Sequence, residues 1–352
     1  MKKVLITRFG AVGDHIHCTH LPRLLKQKAG FDYVAVEYNV KGKEAWKHNP
    51  FVDEHIHFDP NIQLKGGWPE SVYRKRWEEM LTLGGFEKHL MLQKSLEYGY
   101  IAMEDQAEYY RDSRYRREKF GGHNYYDQTS IFAGYPEWCG IVGDLYFTEQ
   151  EENLVRGIYE ERYKDKFVII ANLSGTSRHK LFYQADAIIR SFLAKHEDAI
   201  CITMGDDDCK NHIEFTGDRI INRCGRREHG LYYPFRQSML MTKYCNLLIG
   251  AESGLMVAGT LLGAPTVQLM TAASIKNHGG DFVNDFSLQS PATCSPCHKG
   301  PYDYIGCPKF EIAGEKYPVC VKFEAQVILN QMEKVYDRYT KAPRGSSSMS
   351  SM

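Results

Sequence analysis

The chain has 352 residues, 43% of them hydrophobic and 25% charged, with 44 Lys and Arg against 44 Asp and Glu. That balance gives nucleic acid no net charge to respond to, so a nucleic-acid partner is possible but finds no support there. No run approaches the ~18 consecutive apolar residues of a membrane span.

The length allows about two domains at roughly 150 residues each. Met1-Lys2-Lys3 followed by a strand pattern lacks the apolar core of a signal peptide, so a cytoplasmic location is expected. Val4 to Ile6 reads as a short buried strand. It runs into Arg8-Phe9-Gly10-Ala11-Val12-Gly13-Asp14, where two glycines allow a tight strand-to-helix turn. Asp14 stands where a helix starts. It can act there as a helix cap, or as a carboxylate aimed beyond the strand end, where ligands bind in open α/β sheets. A helix is expected over 16–28, with Pro22 as a kink or packing point. Tyr33 to Val36 reads as a second strand and Phe51 to Phe58, alternating apolar and polar, as a third. This spacing indicates a parallel, doubly wound sheet. A helix follows around Glu70 to Leu83.

Residues 97–127 are dense in tyrosine. Within them 111–119 carries five basic and two acidic residues. This is a solvated helix face balanced by Glu104, Asp105 and Glu108, a basic lip in which Arg111, Arg114, Arg116 and Arg117 hold an anionic acceptor, or basic residues interleaved with aromatics along a nucleic-acid strand. Helical character resumes over 123–134, residues 136–148 read as a bridge, and Thr148 to Glu151 is a helix-start pattern.

The second half opens on a buried strand, Phe167 to Ala171. The loop after it, Asn172 to Lys180, offers Ser174, Thr176, Lys180 and free backbone N–H groups to an anion. A helix (183–196) and a strand (199–204) lead to Gly205-Asp206-Asp207-Asp208, whose carboxylates suit a ribose or a helix cap. Asn246 to Gly250 is another buried strand. Glu252-Ser253-Gly254-Leu255 follow it at the start of a small-residue helix (256–262), a place that favours a pyrophosphate. Thr266 to Leu269 is a further strand. The tail from Ala342 to Met352 has a disordered composition.

Of ten cysteines, Cys18, Cys139, Cys201, Cys209, Cys224 and Cys245 are scattered and expected to be reduced. Cys294, Cys297, Cys307 and Cys320 give C-x₂-C followed by gaps of nine and twelve residues. Four thiolates can hold a structural zinc ion. An iron–sulfur site, reduced thiols or a loop disulfide are the alternatives.

The turn at Arg8 to Asp14, the loop from Ser174 to Lys180, Leu248 to Gly254 with Gly263-Ala264-Pro265-Thr266-Val267, and Cys294-Ser295-Pro296-Cys297 together resemble glycosyltransferase family nine, the heptosyltransferases of lipopolysaccharide assembly. The resemblance covers about residues 1–330. It implies a GT-B fold, that is, α/β with two Rossmann-like doubly wound domains facing across a cleft. The expected boundaries are 1–147 (acceptor domain), 148–330 (nucleotide-sugar donor domain) and 331–352 (a helix end and disordered tail). It implies an inverting, metal-independent glycosyltransferase with Asp14 as catalytic base. Gly13, Ser174, Thr176, Lys180, Asp206, Asp207, Glu252, Ser253, Gly254 and Leu255 would serve the donor, an ADP-heptose-like nucleotide-diphosphate sugar. The acceptor would be a saccharide or lipid-linked saccharide. The sequence departs from the family pattern at Glu252, where an aspartate is usual, and at Val257, where a histidine is usual, which leaves the donor sugar open. A nucleotide-sugar epimerase, a nucleic-acid-base glycosyltransferase and an inactive sugar-nucleotide-binding protein are the alternatives.

Overall fold

The computed structural model describes residues 1–57, 70–92, 122–175, 177–205, 217–225, 233–298 and 317–341. It divides into two compact units, Met1–Glu149 with Lys276–His278, and Gln150–Ile275 with Gly279–Met352.

The first unit is built on four parallel strands, β1 (Lys3–Arg8), β2 (Tyr33–Tyr38), β3 (Glu54–His57) and β4 (Lys88–Met91), in the order β3-β2-β1-β4. Near-continuous apolar runs form the central strands because a parallel sheet is covered on both faces. Val4, Ile6, Val34 and Val36 on one face pack with Leu21, Leu24, Leu25, Trp46 and Leu90. The helices are α1 (Val12–Ile16), α2 (Leu21–Gln27), α3 (Lys43–Trp46), α4 (Glu70–Gly84) and α5 (Tyr125–Phe132). The stretch 136–148 packs against this unit. Trp138 is buried and stacks on Tyr135 with ring centroids 3.9 Å apart, and Asp144 pairs with both Arg23 Nε and Nη2.

The single helix expected over 16–28 is two helices. Pro22 has no N–H to give the Cys18 carbonyl, and its ring would collide with that carbonyl in a continuous helix. Leu21 N–H bonds the Cys18 carbonyl instead, and the chain restarts with Pro22 in the first turn of α2, where the missing donor costs nothing. The third strand is shorter than its alternation suggested, because Asn49 takes the N–H groups of Phe51 and Val52 into a turn.

The second unit has six parallel strands in the order β10-β9-β8-β5-β6-β7: β5 (Phe167–Asn172), β6 (Ala199–Gly205), β7 (Ile220–Cys224), β8 (Leu247–Ala251), β9 (Thr266–Met270) and β10 (Leu288–Gln289). Helices α6 (Glu149–Arg162), α7 (Ala185–Lys195), α8 (Phe235–Tyr244) and α9 (Gly254–Leu261) accompany them; the short α10 (Ile275–His278) falls, all but its first residue, in the first unit, and α11 (Ala325–Lys341) returns to the second. Phe167, Ile169 and Ala171 pack with Ile188, Ile189 and Phe192 of α7 and Met332 and Val335 of α11. Arg236 on α8 grips Glu151 on α6 with two bonds, of 2.6 and 2.9 Å.

Candidate active site

In a doubly wound sheet the crevice opens where neighbouring strands send their chains in opposite directions. In the first unit this point lies between β1 and β4, and in the second between β5 and β8. Among the described residues singled out from sequence, Asp14 follows β1, Ser174 and Lys180 follow β5, and Glu252 and Ser253 follow β8.

Arg8 ends β1. Its buried guanidinium spans the first switch point, donating from Nη1 to the Leu92 carbonyl after β4 at 2.7 Å and facing Asp14 Oδ1 from Nη2 at 3.3 Å. Asp14 is the third residue of α1, and its other oxygen accepts the Ala11 N–H at 2.8 Å. This is the carboxylate half of a capping box. Gly10 sits at φ 137°, and a Cβ there would overlap the Asp14 carboxylate, so the turn needs glycine for both reasons. Asp14 keeps a third of its side chain exposed. A carboxylate has about four acceptor positions, so capping the helix leaves capacity to take a proton. The two sequence readings of Asp14 are therefore compatible. Gly13 lies inside α1, where its carbonyl accepts from His17.

At the second switch point the chain after β5 folds back on itself. Ser174 bridges Leu181, Gly175 N–H bonds the Lys180 carbonyl at 2.7 Å, and Lys180 N–H bonds the Ser177 carbonyl at 2.8 Å. Lys180 Nζ lies 3.4 Å from Glu252 Oε2, the residue after β8. Glu252 is 2% exposed, and its other oxygen accepts the Thr271 N–H at 3.1 Å. Thr271 also donates its hydroxyl to the His179 carbonyl at 2.9 Å, and its own carbonyl accepts from Ser295 Oγ at 2.6 Å. One residue thus ties three loops together. Burial, then the positive charge of Lys180, lowers His179 to about 4, so this imidazole is neutral at neutral pH. Ser253 caps α9 through Met256 N–H, Gly254 begins the helix, and the Leu255 side chain is buried. The first N–H groups of α9 have no partner within the helix. Val257 is likewise buried on α9.

Thr176, Asp206, Asp207, Arg111, Arg114, Arg116, Arg117 and Cys307 lie outside the described residues. Cys294, Cys297 and Cys320 form no disulfide, and no group of three or more His, Cys, Asp or Glu side chains able to hold a metal occurs among the described residues. The fourth thiol of the expected zinc set, Cys307, lies outside the described residues.

A scan against protein-family models finds no match, and comparison with curated proteins finds none either. Solved structures do match over nearly the whole chain. A family 9 glycosyl transferase from Veillonella parvula aligns over 96% of this chain and 98% of its own, with a TM-score of 0.64 at 15% identity. The chain has the fold of these glycosyltransferases. The ADP-heptose lipopolysaccharide heptosyltransferase II of E. coli aligns over 97% and 100%, with a TM-score of 0.61 at 13% identity. TibC, an iron-containing dodecameric glycosyltransferase of enterotoxigenic E. coli, aligns over 96% and 78%, with a TM-score of 0.60 at 12% identity. The GT-B assignment, with one parallel α/β sheet in each unit, agrees with this. No helix among the described residues is long and apolar enough to cross a membrane.

Sequence reading missed Arg8 as the partner of Asp14, and Thr271 as the support of Glu252. Arg8 stood in the quoted turn and carried a signal. Thr271 lies 19 residues from Glu252, in a strand-end loop with no motif of its own.

Proposed function

We propose that the chain is an inverting glycosyltransferase that uses no metal ion in catalysis, moving a sugar from a nucleotide-diphosphate donor to a hydroxyl of a saccharide acceptor. Asp14 is the general base. Its carboxylate takes the proton of the acceptor O–H as that oxygen forms a bond to the anomeric carbon. The bond from that carbon to the diphosphate oxygen breaks on the opposite face, its electron pair leaves with the nucleoside diphosphate, and the configuration inverts. Lys180 and the first N–H groups of α9, at Gly254 and Leu255, balance the charge that grows on the leaving group. Glu252 and Thr271 hold Lys180 and its loop. Ser174, Thr176 and Ser253 complete the phosphate contacts, and Asp206 or Asp207 takes the ribose. Arg111, Arg114, Arg116 and Arg117 serve an anionic, lipid-linked or free saccharide. An adenine nucleotide is the preferred donor, supported by the likeness to a fold relative named for ADP-heptose.

The observation that carries this reading is Asp14: a carboxylate one-third exposed at a strand-end switch point, aimed by a buried arginine and a backbone N–H. Calorimetric titration with ADP, UDP, GDP and dTDP in the presence of chelator tests it. Binding of ADP, weakened in Lys180→Ala, is expected. Binding of another of the four corrects the donor base, and binding of none removes the donor site. Conversion of a sugar nucleotide without any acceptor would mark an epimerase instead.

A further inference from the structure

Directly after Asp14 comes a histidine that this chemistry does not use. His15 is fully buried, and burial, followed by the charge of Arg8, lowers it to about 4, with opposing contributions from Asp14 and Asn39. It is neutral at neutral pH, with one N–H and one acceptor nitrogen. Its neighbours decide which is which. Trp46 Nε1, which can only donate, lies 3.1 Å from His15 Nδ1, so Nδ1 accepts and the proton is on Nε2. That N–H faces Asn39 Oδ1 at 3.0 Å, and Asn39 Nδ2 then donates to the Gly10 carbonyl at 3.1 Å. An indole that only donates stands at one end and a carbonyl that only accepts at the other. The tautomer of His15 and the orientation of the Asn39 amide follow without a free choice.

The far end of this chain matters because of what is attached to it. The Gly10 carbonyl and the Ala11 N–H are two ends of one planar peptide group. Asn39 grips the carbonyl end, and the Asp14 carboxylate accepts from the N–H end. Rotating that peptide moves the bond that aims Asp14. The segment from Asn39 to Trp46 is shaped for the purpose. Asn39 precedes a single helical turn (Val40–Gly42) without using its side chain to cap it, and Gly42 passes so close to the His15 ring that a Cβ would overlap it. Trp46 closes the far side, buried in the core.

We propose that His15, Asn39 and Trp46 are positioning residues for Asp14, fixing the Gly10–Ala11 peptide so that the carboxylate is held in its working direction. This rests on the reading of Asp14 as the base. The test is Asn39→Ala, which removes the bond to Gly10 from a partly exposed site. The expected result is a fall in kcat of about 10- to 100-fold, the scale of a misplacement of about 1 Å. KM for the sugar nucleotide and the affinity for the nucleoside diphosphate should stay unchanged. Wild-type kcat in Asn39→Ala beside an inactive Asp14→Ala overturns the positioning role alone. Transfer retained in Asp14→Ala overturns the base and the positioning role with it. Imidazole ¹⁵N resonances should show His15 as the neutral Nε2–H tautomer from pH 8 down to about pH 5, below the ordinary histidine value. An Nδ1–H tautomer, or titration near pH 6.5, overturns the network.

Discussion

Replacing Gly10 by alanine should do two separable things. The backbone there sits at φ 137°, and forcing a non-glycine residue into such a conformation costs about 1–3 kcal/mol. The new Cβ also overlaps the Asp14 carboxylate, which must swing away and give up the Ala11 N–H, a capping interaction worth about 0.5–2 kcal/mol. Asp14→Ala alone loses that same cap, together with its contact to Arg8, but carries no backbone strain. In the double variant the overlap is gone and the cap is lost once, not twice. Its cost should therefore fall below the sum of the single costs by about 0.5–2 kcal/mol, the value of one cap. The sequence supplies a convenient probe. Its four tryptophans, at 46, 68, 77 and 138, all precede residue 149 in the sequence, and the three described ones belong to the first unit, so denaturant unfolding followed by tryptophan fluorescence reports that unit. Single costs that add to within about 0.5 kcal/mol in the double variant would refute the claim that Gly10 and Asp14 share one space.

The same probe checks the buried histidines. His15 and His20 are lowered by burial to about 4 and about 3, whereas the unfolded chain takes up these protons near pH 6.5. Between those values the unfolded state binds more protons, so stability is full above about pH 6.5 and falls as pH drops towards 4, by at most about 1.4 kcal/mol per pH unit for each histidine. A flat fluorescence midpoint between pH 6.5 and 5 would contradict this. In the second unit, Glu252→Ala leaves the Thr271 N–H without its acceptor and should cost about 1–3 kcal/mol there, read by circular dichroism, while the fluorescence transition stays in place. Lys180→Ala should weaken nucleoside-diphosphate binding by about tenfold or more, as expected for a lost bond to a charged group; unchanged calorimetric affinity would remove Lys180 from the donor site.

What was legible in the sequence was local. The apolar runs at Val4–Ile6, Phe167–Ala171 and Leu247–Ile249 announce buried parallel strands, and the glycines before Asp14 announce a tight strand-end turn. Short strands with polar ends were not legible. Lys88–Met91 and Ile220–Cys224 are strands because a neighbour is there to pair with, not because of their own pattern. Pro22 carried the right signal, but a kink and a break differ only in whether another turn can take up the freed carbonyl, and the Leu21 N–H does so. The supports of the site were hidden for a different reason. Arg8 meets Leu92, His15 meets Trp46, and Glu252 meets Thr271 across gaps of 84, 31 and 19 residues, and such meetings exist only once the sheets are formed.

The central claim is that Asp14 removes a proton during sugar transfer. The direct measurement is the rate of transfer from a sugar nucleotide, ADP-heptose first, to a saccharide acceptor, in wild type and in Asp14→Ala, with nucleotide affinity measured on the same samples. Transfer is expected in wild type and lost in the variant, with nucleotide affinity nearly intact and inverted configuration in the wild-type product. Transfer that survives in Asp14→Ala, or a loss of activity that follows an equal loss of nucleotide binding in folded protein, would contradict it.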